Sequence, residues 1–111
     1  MSIKPLIPLV EVLVTDELKR ASAKFGERHH SPHEAYAVML EEQVETQAEI
    51  TRAADAVRRY FERVMANSSQ ELLNKTVSDA KIYAIATACE AIQLAAMCEK
   101  TLRGYGEEAH P

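Results

Sequence analysis

Carboxylates in two helix-forming segments are the side chains with the clearest chemical potential in this chain. The stretch from Ile82 to Cys98 is almost entirely apolar, yet it contains Glu90. A carboxylate in such a stretch is costly to bury unless it is paired or binds a cation. A second segment carries four carboxylates within nine positions: Glu41, Glu42, Glu45 and Glu49. Because hard cations prefer oxygen ligands, we expect the two segments to form a divalent-cation site.

The spacing of these residues favours one shared site. On an α-helix, residues three apart lie one turn apart and differ by about 60° in azimuth. Glu42 and Glu45 have this spacing, and so do Glu90 and Gln93. If the two helices pack antiparallel, four oxygen-bearing side chains converge, which suits Mg²⁺ or Mn²⁺ better than zinc. Since magnesium also binds phosphate oxygens, a phosphorylated substrate is expected.

The same residues could instead have purely structural roles, with no metal bound and no catalysis. The Glu-rich segment could be an ordinary solvated helix surface, because exposed carboxylates are the norm. Glu90 could be held by a basic partner such as Arg52 or Lys81. Gln93 could be a core residue that hydrogen bonds across a helix interface.

Three closely spaced histidines, His29, His30 and His33, could be mistaken for a zinc site. No cysteine lies near them in the sequence. His33 falls in the first turn of a predicted helix, whereas the other two precede its cap. A structural role, or a role at the edge of a substrate, is therefore expected instead of zinc binding.

Composition limits the class of protein. The chain has 111 residues, which predicts one domain, with 13 Lys and Arg against 17 Asp and Glu. The resulting formal charge of −4 disfavours nucleic acid as a partner. Three Gly, four Pro and no Trp favour an all-α domain over a sheet protein.

Localisation and redox state can also be predicted. Cys89 and Cys98 would lie about 13 Å apart along one helix, so both are expected to be reduced core residues. Pro5 and Pro8 interrupt the N-terminus, which has no signal-peptide pattern. The stretch around Glu90 is short and polar for a membrane span. A soluble, cytoplasmic protein without a membrane partner is expected.

Helix boundaries are marked by caps and stops. Gly26 is a helix stop, and two capping-box signatures follow, Ser31 with Glu34 and Ser68 with Glu71. Helices are therefore predicted over about 8–24, 31–66 and 69–103, with a flexible tail at 104–111.

Apolar residues also recur at spacings of three and four from Ala37 to Val64, a seam for helix packing. The predicted fold is an all-α helical bundle with two long antiparallel helices. The seams are long enough to pack within the chain and against another copy, so a homodimer or a dimer of dimers is expected.

Two sequence runs resemble motifs of a known family. The run from Phe25 to Glu42, followed by Glu45, is similar to the metal-binding helix of MazG-like, all-α nucleotide pyrophosphohydrolases. The run from Glu90 to Met97 is similar to their second motif. The resemblance spans roughly residues 18–102 and implies a single MazG-like helical domain over 1–111. It also implies an E-x-x-E helix and an E-x-x-D helix that hold Mg²⁺ against a nucleoside triphosphate while water attacks and pyrophosphate is released.

Carried onto this chain, the resemblance implies that Glu42, Glu45 and Glu90 bind the metal together with Gln93. Gln93 stands where the family has Asp, so the site loses one negative charge, which should weaken metal binding. Glu45 or Glu49 would orient or deprotonate the attacking water. The basic residues that could meet the phosphate charge are Lys24, Arg28 and Arg52.

A second hypothesis keeps the fold without catalysis. In that case the chain is a helical interaction module whose carboxylates serve structure or partner binding. Divalent metal separates the two hypotheses, because only the enzyme requires it.

Overall fold

The computed structural model describes residues 2–106, and over that range the protein is all-helical. A short 3₁₀ turn at Lys4–Leu6 leads into α1 (Ile7–Phe25), which is followed by α2 (Pro32–Met65) and α3 (Gln70–Leu102). The prediction of an all-α fold with two long helices that pack together is confirmed.

Local hydrogen bonds explain where α1 ends and α2 begins. Gly26 has a φ of 91° and its amide donates to the Ser22 carbonyl at 2.9 Å, which closes the last turn of α1. The Glu34 amide donates to Ser31 Oγ at 3.1 Å, as the capping box predicts. The Glu34 carboxylate accepts from the His30 amide at 3.3 Å. Ser31 thus satisfies an amide that the first turn leaves without a helical partner, and Glu34 holds the residue that precedes the cap.

The turn between α2 and α3 corrects one expectation. Asn67 adopts a φ of 55°, and the Ser68 amide donates to the Arg63 carbonyl at 3.0 Å, which forms a Schellman motif. Ser68 thereby belongs to the C-terminal cap of α2. Ser69 is the N-cap of α3, where its Oγ accepts from the Leu72 amide at 3.2 Å. The predicted cap was therefore wrong by one residue.

The chain divides into two compact units. The first comprises Met1–Gln43 and Ala91–Pro111, of which the structure describes 2–43 and 91–106, and the second comprises Val44–Glu90. The first unit has a small core in which Leu18 and Ala21 of α1 cluster with Ala96 and Met97 of α3. Met39 of α2 packs against this core. The core therefore joins all three helices within the first unit.

The segment after α3 pairs with the loop before α2. Tyr105 forms an isolated parallel β-bridge with His29, and the Gly106 amide donates to the His29 carbonyl at 2.9 Å. Gly104 has a φ of 88° after the last turn of α3. Of the tail predicted to be flexible, 104–106 are held by this pairing, and 107–111 lie outside the described residues.

In the second unit, α2 and α3 contact each other through small and polar side chains. Ala53 and Ala56 of α2 and Thr76 of α3 are buried. Thr76 accepts a hydrogen bond from Arg63 and donates one to the Leu72 carbonyl at 2.9 Å. Residues with small side chains let two helices approach closely, so the second unit has little apolar core of its own.

Two expectations about the apolar residues are refined. Both cysteines are free, as predicted, but Cys89 is exposed and does not belong to the core. Within the predicted seam of α2, Val57 and Phe61 are also exposed. Judged by length and composition alone, α3 could cross a membrane, a test that core helices of soluble proteins also pass.

Candidate functional site

Two carboxylates meet in the second unit, one from each long helix. Glu45 of α2 and Glu90 of α3 each offer an oxygen within 4.8 Å of the other. Glu45 is exposed, whereas Glu90 is partly buried. Opposite ligands of a magnesium ion lie about 4.2 Å apart, since each bond is about 2.1 Å. The separation and the all-oxygen donors fit a hard divalent cation.

The other two predicted ligands, Glu42 and Gln93, belong to the first unit. Glu42 precedes Glu45 on α2, and Gln93 follows Glu90 on α3. Both are partly buried, and both line a cavity of about 470 Å³.

The walls of this cavity follow helical periodicity. Residues on one face of α2 recur every three to four positions, and the same is true of α3. The side chains from these two faces are Glu34, Val38, Glu41 and Glu42 of α2, and Gln93, Met97 and Lys100 of α3. The remaining wall is formed by α1, through Glu17, Arg20, Ala21 and Phe25, and by His29 of the loop before α2.

Arg20 lines the cavity with a guanidinium group that is already paired with a carboxylate. Its Nε donates to Glu17 Oε2 at 2.8 Å, and a second guanidinium nitrogen contacts the other carboxylate oxygen. This hydrogen bond lowers the pKa of the Glu17 carboxyl below its ordinary value. The two charges therefore largely compensate each other on the surface of α1.

Lys100 also lines the cavity, but its side chain is buried. Its residue is only 3 % exposed, although it lines the cavity. Among the described residues, no carboxylate lies within ion-pair distance of its ammonium group. Lysine is seldom buried without a partner, because the ammonium group loses its hydration.

His29 lies beside this lysine and is 1 % exposed. Neither ring nitrogen makes a hydrogen bond to the described part of the chain, and Glu34 Oε1 lies 3.8 Å from Nδ1. Burial lowers the pKa of the imidazole, and the charge of Lys100 lowers it further. The Met97 backbone and Glu34 act in the opposite direction without reversing the shift. The ring is therefore favoured in its neutral form.

Several residues proposed from the sequence are engaged elsewhere. The Glu49 carboxylate accepts from Arg52 at 2.9 Å, so this proposed phosphate-binding arginine and this proposed base form an ion pair. The Lys24 ammonium lies 5.2 Å from the centre of the Phe25 ring. Arg28 is exposed and does not line the cavity.

Sequence reasoning missed the two cations that do line the cavity, Arg20 and Lys100. A signal for Lys100 was present, because it follows Gln93 by seven residues and so shares its helical face. No comparable signal marks Arg20, whose position depends on how α1 packs. No family model matches the chain, and neither does any curated protein or solved structure.

Proposed function

We propose that this chain is a MazG-like nucleoside triphosphate pyrophosphohydrolase, which uses Mg²⁺, or Mn²⁺ in its place, and releases a nucleoside monophosphate and pyrophosphate. The observation that carries the proposal is the pair of carboxylates, Glu45 and Glu90, whose oxygens lie within 4.8 Å. The motif resemblance supplies the reaction, and a cavity lined by both Glu42 and Gln93 supports it. A cytoplasmic location is proposed with it.

The ligand set would be Glu42, Glu45, Glu90 and Gln93. Three carboxylates and one amide carbonyl favour a magnesium-type ion over zinc, for which histidine and cysteine are typical ligands. When bound, the ion would neutralise phosphate charge and polarise the phosphorus that water attacks. Gln93 would ligate the ion through its amide carbonyl oxygen, which carries no net charge and so attracts the cation less strongly than a carboxylate would.

Glu45 and Glu49 are the candidates for orienting the attacking water. The Glu49 carboxylate already accepts from Arg52 at 2.9 Å, which restrains it on the surface of α2. Glu45 is exposed and lies beside Glu90. We therefore assign the water-orienting role to Glu45, with Glu49 as the alternative.

The test is pyrophosphate release from a panel of ribo- and deoxyribonucleoside triphosphates, with Mg²⁺ or Mn²⁺. Turnover should be lost in Glu42→Gln and in Glu90→Gln, and it should persist in Glu11→Gln, a charge-matched change on α1 away from the cavity. Well-folded wild-type protein that neither turns over nor melts at a higher temperature with metal would refute the proposal.

Gln93 gives a matched gain-of-function test. Gln93→Asp restores the charge that the family motif carries, so metal affinity should rise. If wild-type protein binds metal but turns over slowly, the same variant should raise the rate. Unchanged affinity and unchanged turnover in Gln93→Asp would exclude Gln93 from the ligand set.

A second candidate is the helical interaction module, which one observation favours. In the second unit, Val57 and Phe61 of α2 are 61 % and 63 % exposed, and Ile82 and Ile85 of α3 are 59 % and 55 % exposed. Large exposed apolar side chains at helical spacing are typical of an interface. A homodimer or a dimer of dimers would bury them, with or without catalysis.

Mass measurement by light scattering tests this association. Wild-type protein should elute as a dimer or tetramer, and Phe61→Glu should shift it towards the monomer. The interaction module as the sole function further requires that Mg²⁺ leave both mass and melting temperature unchanged. A wild-type monomer at all concentrations would exclude the proposed homo-oligomer.

A further inference from the structure

We propose that the first unit contains a binding subsite for phosphoryl anions, formed by His29 and Lys100 at one end of its cavity. The inference rests on the proposed function only in assigning the anion to a substrate with several phosphates. The binding chemistry itself follows from the burial of these two residues and from two absences among residues 2–106: no carboxylate pairs with Lys100, and no hydrogen bond reaches the His29 ring nitrogens.

The first observation is the buried charge of Lys100. At 3 % exposure its ammonium group has lost most of its hydration. No described carboxylate lies within ion-pair distance to replace that hydration. A buried ammonium group that lines a cavity is stabilised when an anion enters the cavity.

The second observation is independent and concerns His29. Its ring is 1 % exposed and lines the same cavity. Neither nitrogen makes a hydrogen bond of normal geometry to a described atom, since the Glu34 carboxylate lies 3.8 Å from Nδ1 and the Met97 backbone only approaches the ring. Buried polar atoms normally have partners, so a ring without one points to a partner that a ligand supplies. A neutral imidazole carries one N–H, which can donate to a phosphoryl oxygen.

The backbone, not the ring, holds His29 in place. Its carbonyl accepts from the Gly106 amide at 2.9 Å, and it pairs with Tyr105 in the β-bridge. The Glu34 carboxylate near Nδ1 accepts from the His30 amide at 3.3 Å, which ties it to the cap of α2. The ring is thus positioned without using its own nitrogen atoms.

The position of the subsite along α3 indicates the size of the ligand. Lys100 follows Gln93 by seven residues, which is about 10 Å along the helix axis. Glu42 and Gln93 therefore line the cavity about 10 Å along α3 from Lys100, and the Glu34 carboxylate lies nearer the proposed subsite, 3.8 Å from His29 Nδ1. A chain of phosphates matches this arrangement better than a single phosphate, because it reaches a cation and a metal at once.

The test uses inorganic pyrophosphate and the full chain in metal-free buffer, with binding measured by calorimetry and by melting temperature. Wild-type protein should bind and melt at a higher temperature. Lys100→Met should bind at least about tenfold more weakly, because the counter-charge is gone. Lys81→Met, which removes an exposed lysine from the same helix, should bind like wild type.

A second readout separates loss of the site from loss of the fold. In buffer without pyrophosphate, Lys100→Met should melt at the same temperature as wild type or higher, since methionine removes a buried charge and keeps the volume. His29→Leu, which leaves no N–H at this position, should also weaken binding. Equal pyrophosphate affinity in wild type and Lys100→Met, or no binding by wild type, would overturn the subsite.

Because no metal and no turnover enter this measurement, the two proposals can fail separately. Binding that depends on Lys100 in a chain without hydrolase activity supports the subsite and refutes only the enzyme. Metal-dependent turnover with an unchanged KM in Lys100→Met refutes only the subsite.

Discussion

Glu45→Gln should be more stable than wild type in metal-free buffer and less stable than wild type when Mg²⁺ is present. Without metal, two carboxylates whose oxygens lie within 4.8 Å repel each other. Because Glu45 is exposed, the dielectric constant of water applies, and the repulsion at this distance is about 0.9 kcal/mol. Glu45→Gln should therefore be more stable than wild type by about 1 kcal/mol in metal-free buffer.

With metal the order inverts. A ligand at 100 times its Kd stabilises the folded protein by about 2.7 kcal/mol, which wild type should gain. Glu45→Gln has lost one charged ligand and should gain much less. For a domain of this size, about 1 kcal/mol corresponds to roughly 4 to 8 °C in Tm, so the two melting curves should cross as Mg²⁺ is titrated.

Thermal unfolding followed by circular dichroism, with and without Mg²⁺, measures both effects. Glu11→Gln removes one carboxylate from α1 and should keep the wild-type response to metal. The reasoning is refuted if Mg²⁺ stabilises Glu45→Gln as much as wild type. It is also refuted if the variant is less stable than wild type before metal is added, because the repulsion would then be absent.

Three further predictions concern the fold. Leu18→Ala, in a core where Leu18 is 2 % exposed, should cost about 3 kcal/mol in urea unfolding, whereas Leu102→Ala, at 81 % exposure, should cost little. Burial and Lys100 lower the pKa of His29 in the folded state, so the unfolded chain binds the extra proton. Stability should therefore fall as pH drops below about 6.5, and His29→Gln should flatten that slope; an equal slope in the variant would contradict the shift. Ser69→Ala should cost about 1 kcal/mol through loss of the N-cap, and an unchanged urea midpoint would argue against the cap.

The helix ends could be predicted because capping is local. Ser31 and Glu34 are three residues apart, and their hydrogen bonds need nothing from the rest of the chain. The error at Ser68 had a local cause as well, since Asn67 in the left-handed region draws the Ser68 amide back to α2. Two adjacent serines offer the same capping chemistry, and only the backbone path chooses between them.

The basic residues could not be predicted in this way. Lys24 and Arg52 are on the helices where a phosphate-binding cation was expected, but one lies over Phe25 and the other pairs with Glu49. Most lysines and arginines are exposed, so residue type alone does not identify the one that faces a cavity. Lys100 faces it because of how α1, α2 and α3 pack at this end of the chain.

The amino-acid sequence by itself determined the all-α class, the approximate helices and the spacing of Glu42, Glu45, Glu90 and Gln93, because periodicity and caps act over a few residues. Only the tertiary structure decided that Glu45 and Glu90 approach each other, and that His29 is buried among residues far along the chain. Burial and charge compensation depend on contacts between distant segments, such as the bridge from His29 to Tyr105. Patterns over a few residues of sequence do not predict such contacts.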